Sequence, residues 1–283
     1  MKYFCHIRLL WGALFSLILL FQSGCQKSEE AAPQATTAIP AGKETAAAKT
    51  PSKTDPGEMI LIPAGEFVLG YDKEPASAPE QKMFLPAFYI DKYEVTMAQY
   101  MKFVVESSYM AQGKWRELWA PEKADFPVTL ITWKDAGEYA KWAGKRLPTE
   151  FEWEKAARGE KGLRYPWGNE WETGRANTFE AGLKDLAAVG SYQGDVSPYG
   201  VMDMLGNALE WTGSNYQGYA GSKVKDKNFG DTFRVLRGCD YVHYGGPRQG
   251  AQFHLAYRAY YLPDANFNFS FRCAKDAPAG AAK

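Results

Sequence analysis

Two acidic residues, Asp203 and Glu210, stand seven positions apart with Gly206 and Asn207 between them. Calcium takes about six to eight oxygen ligands and mixes carboxylates with backbone carbonyls. A loop bent at the glycine would aim both carboxylates and two intervening carbonyls at one ion. The same carboxylates would otherwise cap loops or pair with arginine, and the sequence leaves both readings open. A second acidic set, Glu150, Glu152 and Glu154, has the residue type for acid–base catalysis. Glu152 follows Thr149 by three positions, the spacing of a helix capping box. Glu150 and Glu154 then sit near the positive end of that helix's dipole, so all three read as structural. The soft ligands are Cys239, Cys273, His243 and His254. Thiolates select copper(I), and imidazole binds copper, iron and zinc. Two histidines with no evident third ligand make a thin metal site.

The elements that must position these groups are few. Thr96 opens one helix with Gln99 as its box partner, and Met97, Tyr100, Phe103 and Val104 follow at helical spacing. Thr132 opens a second, lined by Ala136, Tyr139, Ala140 and Ala143 and stopped at Gly144. Thr149 opens a third, with Trp153, Ala156 and Ala157 inward and Gly159 at its end. Short runs at Met59–Ile62, Glu66–Leu69, Phe88–Ile90 and Arg234–Arg237 read as strands. Much irregular backbone is left, and bound metal is a common way to hold such loops.

The first 57 residues have a different character. Lys2 and Arg8 precede an apolar run from Leu9 to Phe21, which is shorter than the roughly 20 residues a membrane span needs. A charged start, a short apolar stretch and small residues make residues 1–24 an expected export signal. Ser23-Gly24-Cys25 resembles a bacterial lipobox, with Gln22 departing from the usual leucine. Cys25 is therefore the expected lipidation site, and its acyl chains would hold the protein on a membrane of the bacterial cell envelope, facing periplasm or surface. The alternative is plain signal cleavage and a secreted protein. Residues 25–57 lack aromatics and read as a tether. The globular domain is expected over 58–275, with a disordered tail at 276–283. Export implies an oxidising compartment, where Cys239 and Cys273 would either bridge or remain isolated thiols.

Composition narrows the partners. Lys+Arg and Asp+Glu are both 33, so no basic excess points to nucleic acid. The aromatic share of 15% fits a core braced by flat side chains, or a surface that contacts protein or glycan.

Several segments together resemble the formylglycine-generating enzyme (sulfatase-modifying factor) family. In order they are Ile62-Pro-Ala-Gly-Glu-Phe-Val-Leu-Gly70, Asp91-Lys-Tyr-Glu-Val-Thr96, Pro127-Val-Thr-Leu-Ile-Thr-Trp133, Gly144-Lys-Arg-Leu-Pro-Thr-Glu-Phe-Glu-Trp-Glu154, Tyr165-Pro-Trp-Gly168, Asp203-Met-Leu-Gly-Asn-Ala-Leu-Glu-Trp-Thr212 and Phe271-Arg-Cys-Ala274. The resemblance implies an α+β, C-type-lectin-like fold with little regular secondary structure. It implies structural calcium held by the side chains of Asp203 and Glu210 and the carbonyls of Gly206 and Ala208. A second family calcium site starts at the asparagine matched by Asn177, with Asp185 its nearest candidate partner in a shortened loop. The family's oxidase chemistry rests on a copper-binding cysteine pair that converts a substrate cysteine to formylglycine. Counting along the motifs puts those positions near His243 and at Phe253 or His254. Cys239 instead replaces the second glycine of the usual Arg-Gly-Gly. The cysteine that often partners the Cys273 position in relatives is Ala140 here. Copper is not expected. The resulting expectation is a non-catalytic envelope lipoprotein that binds a protein or glycan partner, or serves in a surface assembly. The alternative is a divergent formylglycine-generating oxidoreductase.

Overall fold

The computed structural model describes Asp55, residues 57–242, residues 254–278 and Gly280. Nine short strands and three helices carry the described chain. The strands are β1 (Met59–Ile62), β2 (Gly65–Leu69), β3 (Gln81–Leu85), β4 (Phe88–Asp91), β5 (Leu209–Asn215), β6 (Arg234–Arg237), β7 (Ala259–Tyr261), β8 (Phe269–Ser270) and β9 (Ala274–Asp276). The helices are α1 (Met97–Ser107), α2 (Trp133–Trp142) and α3 (Glu150–Arg158). Three sheets form, with strand orders β1-β4-β9, β2-β3 and β7-β6-β5-β8. All pairings are antiparallel except β5 with β8. This is the α+β fold with little regular secondary structure that the motifs imply.

Local chemistry sets the helices. Each begins at a threonine whose hydroxyl accepts the N–H three residues on, while the residue there (Gln99, Asp135 or Glu152) returns the bond. Two otherwise orphaned donors are satisfied at each start. The apolar face of α1 meets that of α2 around Tyr100, whose ring lies 5.2 Å from Trp115 and 5.4 Å from Phe103. Helix α3 packs on β2, β5 and β6. The aromatic share goes mainly to the core: Trp115, Trp153 and Trp211 are wholly buried, each such side chain contributing about 1.5–3 kcal/mol or more of transfer free energy.

The domain's end lies further on than the sequence suggested. Strand β9 pairs Phe88 with Asp276, and Arg146 donates to the Asp276 carboxylate at 2.6 and 3.0 Å. Ordered pairing thus includes Asp276, the first residue of the expected tail, because its backbone closes a sheet edge and its side chain meets a guanidinium. Among the described residues no helix is long and apolar enough to cross a membrane. The expected signal, Cys25 and nearly all of the tether lie outside the described residues.

Candidate functional site

Glu210 is the second residue of β5, opposite Arg237 on one side and Ser270 on the other. Its carboxylate meets Arg272, which donates from Nε to Oε2 and from Nη2 to Oε1, both at 2.7 Å. The Trp153 indole adds a third bond to Oε2 at 2.9 Å. Asp203 adopts a positive φ of 57° and accepts the Gly190 N–H at 2.6 Å. Gly206 is required by a close approach: a Cβ there would lie 2.7 Å from the Asn177 carbonyl oxygen. That carbonyl also accepts the Asn207 N–H, and the Asn177 amide donates to Asn207 Oδ1 at 3.0 Å.

Arg272 stands among four buried carboxylates: Glu210, Glu94, Asp203 and Asp195. Glu94 Oε2 lies 4.0 Å from Arg272 Nη2, Glu94 Oε1 accepts from the Asn207 amide at 3.1 Å, and the Glu94 and Asp203 carboxyls share a hydrogen bond. One guanidinium cannot neutralise four carboxylates in a dry interior. Burial pushes the Asp195 carboxyl up to about 8, with Asp203 reinforcing the shift. Burial likewise raises Glu94 and Asp203.

This arrangement does not fit calcium at the ligand set matched to Asp203, Gly206, Ala208 and Glu210. Both oxygens of Glu210 are taken by a bidentate arginine, and an ion there would have to displace it. Of the two readings open in the sequence, the structure gives Glu210 the arginine pairing. Among the described residues, no three His, Cys, Asp or Glu side chains converge as a metal site. Asn177 fits better. Its Nδ2 donates to the Asp185 carbonyl at 3.0 Å, which brings the second expected loop together, and its buried Oδ1 is left without a partner. That oxygen is one ligand of the about six to eight that calcium takes, and the Asp185 carboxylate pairs with Lys123 at 3.5 Å.

The acidic run of α3 is structural, as its cap predicted, but its partners were not legible. Arg258 grips Glu150 from Nε and Nη2 at 2.7 and 2.8 Å. Glu154 accepts from Arg158, Arg237 and the Gly70 N–H. Burial alone would raise Glu154, but Arg237 and Arg158 outweigh it and hold the carboxyl below its usual range. His254 is buried beside this network, edge-on to Tyr71 at 4.8 Å between ring centroids. Burial, then Arg158, Arg164 and Arg237, lower its imidazole to about 4. It is a packed histidine. His243 and Phe253, the other positions matched to the family's thiols, lie outside the described residues.

Cys239 and Cys273 do not bridge: both are free, buried thiols. Cys239 follows β6 and packs with Trp153 and Leu255, whereas Cys273 follows β8 and packs in the α1–α2 core. In the sheet, β5 lies between β6 and β8, so the strands leading to the two cysteines are not neighbours. Burial, then Asp240 for Cys239 and Asp91 for Cys273, raise both thiols well above their ordinary range. They are not a thiolate pair, and they do not fit copper(I).

The residues that sequence reasoning missed are Arg237, Arg258 and Arg272. A signal existed: Val235-Leu236-Arg237 and Phe271-Arg272-Cys273 set arginine beside apolar residues, a position that requires a buried acid.

Three small sheets, three box-capped helices and loops fastened by buried arginine–carboxylate pairs make up a formylglycine-generating-enzyme-type scaffold. Residues 44–277 match the family model of the sulfatase-modifying factor enzyme 1-like domain, and the chain belongs to that family. It is 30% identical over 275 residues to the inactive C-alpha-formylglycine-generating enzyme 2 of Mus musculus, covering 77% of this chain and 86% of the relative. It is 30% identical over 287 residues to the formylglycine-generating enzyme of Bos taurus, covering 78% and 75%. In fold it is similar to PvdO from Pseudomonas aeruginosa, with a TM-score of 0.63 and 24% identity over 77% of this chain and 94% of that one.

Proposed function

We propose that this chain is a non-catalytic member of its family: an envelope lipoprotein whose scaffold binds a protein or glycan partner. The observation that carries the proposal is the fate of the thiols. The positions matched to the catalytic pair hold His243 and Phe253 or His254, and Cys239 and Cys273 are buried in separate clusters. The similarity to inactive enzymes of Mus musculus and Bos taurus, at 30% and 31% identity, supports a role without this chemistry. Exposed apolar side chains at Val242, Tyr261, Leu262 and Phe267 offer rigid contact area for a partner. Structural calcium is part of this proposal, with Asn177 Oδ1 as one of the about six to eight oxygens an ion would need.

The test is aerobic incubation of the purified protein with a cysteine-containing peptide, with and without copper(I), followed by mass spectrometry of the peptide. The expected result is an unchanged cysteine. Conversion of the cysteine to an aldehyde, with oxygen consumed, would establish the divergent oxidoreductase instead.

A further inference from the structure

The segment after β5 carries Lys223, Lys225 and Lys227, alternating with Val224 and Asp226. The alternation is fixed by hydrogen bonds on the inner side. Ser222 Oγ accepts the Val224 N–H at 3.3 Å. Asp226 accepts the Asn228 N–H at 2.9 Å and the Tyr216 hydroxyl at 3.3 Å. Ser222, Val224, Asp226 and Asn228 are half-buried, while all three lysines are exposed. Exposure alternates along the segment, which puts the three lysines on its solvent side, with Lys227 in the turn that the Phe229 N–H closes onto the Asp226 carbonyl at 3.1 Å. The loop therefore presents a row of three ammonium groups, and its own carboxylate, Asp226, is turned inward. Among the described residues none of the three lysines pairs with a carboxylate.

We propose that this lysine row is a contact surface for the anionic headgroups of a phospholipid membrane. The choice of a membrane rests on the reading of Cys25 as a lipid anchor. About 32 residues separate Cys25 from Glu58, and a chain of that length reaches at most about 110 Å. An anchored domain is thus confined close to headgroups at high effective concentration. A contact too weak to hold a free protein becomes populated under that confinement. Each lysine near an anionic surface strengthens association about fivefold, and three about a hundredfold, when the contributions add. The contact would weaken with salt, since exposed charges are screened.

The test is amine-labelling footprinting of the full-length chain on vesicles, read residue by residue. Two compositions are compared: phosphatidylcholine alone, and phosphatidylcholine with an equal part of phosphatidylglycerol. Labelling of Lys223, Lys225 and Lys227 is expected to fall severalfold on the anionic vesicles and to recover in high salt. The exposed Lys114, Lys134 and Lys161 should label equally on both. Equal labelling of the row on both compositions would overturn the proposal, and so would equal protection of the control lysines. Protection of the row by a soluble acidic polysaccharide but not by anionic vesicles would also overturn it. The anchor is checked separately by the intact mass of the protein from its own membranes, so loss of one reading is distinguishable from loss of the other.

Discussion

Arg272 and Glu210, 62 residues apart in sequence, meet through two hydrogen bonds of 2.7 Å in a wholly buried, bidentate pair. Arg272 also donates to the carbonyls of Asp91, Lys92, Met202 and Asp203. One side chain thereby ties the end of β4, the 202–203 segment and β5 together. In a fold with so little regular structure, that guanidinium does for loops what ladders do for strands.

Breaking a buried, hydrogen-bonded charge pair costs about 3–5 kcal/mol, and Glu210 is the carboxylate that makes both hydrogen bonds to the guanidinium while Glu94 stands off at 4.0 Å. Glu210→Ala is therefore expected to destabilise the protein by that amount in denaturant unfolding. Arg272→Met should cost at least as much, because it also frees four carbonyls. In the double variant the penalties should fall well short of additive, with a coupling of about 1 kcal/mol or more. Fully additive penalties would show that the pair is not a unit.

Calcium gives a second test, because the two expected loops part company here. A ligand that binds only the folded state raises stability by mass action. Chelation is expected to lower the melting temperature of the wild type and of Glu210→Ala by similar amounts. It should have little effect on Asn177→Ala, which lacks the open Oδ1. The reverse pattern, with Glu210→Ala insensitive, would return the ion to the Asp203–Glu210 loop.

Much of this scaffold was legible in the sequence, for local reasons. The three helices start where Thr96, Thr132 and Thr149 place a hydroxyl before a box partner, and this geometry depends on four consecutive residues only. Strands β1 and β6 fall at Met59–Ile62 and Arg234–Arg237, as their apolar runs indicate. Strands β7, β8 and β9 span two or three residues each, too short for any period to register. The candidate site was half legible. Asp203, Gly206, Asn207 and Glu210 are all buried, as is Asn177, but the arginine between β8 and β9 that claims Glu210 is a non-local partner. The cysteines misled for a related reason: residue spacing carries no information about β5 intervening between their strands.

The surplus of buried carboxylates predicts a pH dependence. Asp195 is raised to about 8 in the folded protein, from about 3.9 when unfolded. The folded state therefore binds more protons between those values, and stability falls as pH rises through that window. The Asp195 contribution is fully present below about pH 4 and lost by about pH 8, amounting to several kcal/mol at most. Glu94 and Asp203 act in the same direction, whereas His254, lowered to about 4, opposes them only below about pH 6.5. Stability measured between pH 6.5 and 8.5 should decline, and Asp195→Asn should flatten the slope. An asparagine keeps an oxygen for the Met204 and Leu205 N–H groups that Asp195 now accepts. An unchanged slope in that variant would remove Asp195 from the account.

The cysteines offer a prediction in which position decides chemistry. A thiol reacts as its thiolate, and burial in apolar surroundings suppresses that form. Cys239 and Cys273 are both buried, with raised thiols, and no disulfide joins them. Under native conditions neither should react with an alkylating reagent over a time in which an exposed thiol reacts completely. In denaturant, without reductant, both should be labelled. Failure of both to label until reductant is added would reveal a bridge and overturn the free-thiol assignment. Cys25 should behave differently from either. If it is the acylated N-terminus of the envelope form, it carries no thiol to label, and the intact mass includes its acyl chains. Cys25→Ser should then move the protein from the membrane fraction to the soluble fraction while leaving its melting temperature unchanged. The same fractionation with Cys239→Ser should leave the protein on the membrane and affect only stability. Membrane partitioning that survives Cys25→Ser, with no acyl mass on the wild type, would sink the anchor and leave the domain's chemistry untouched.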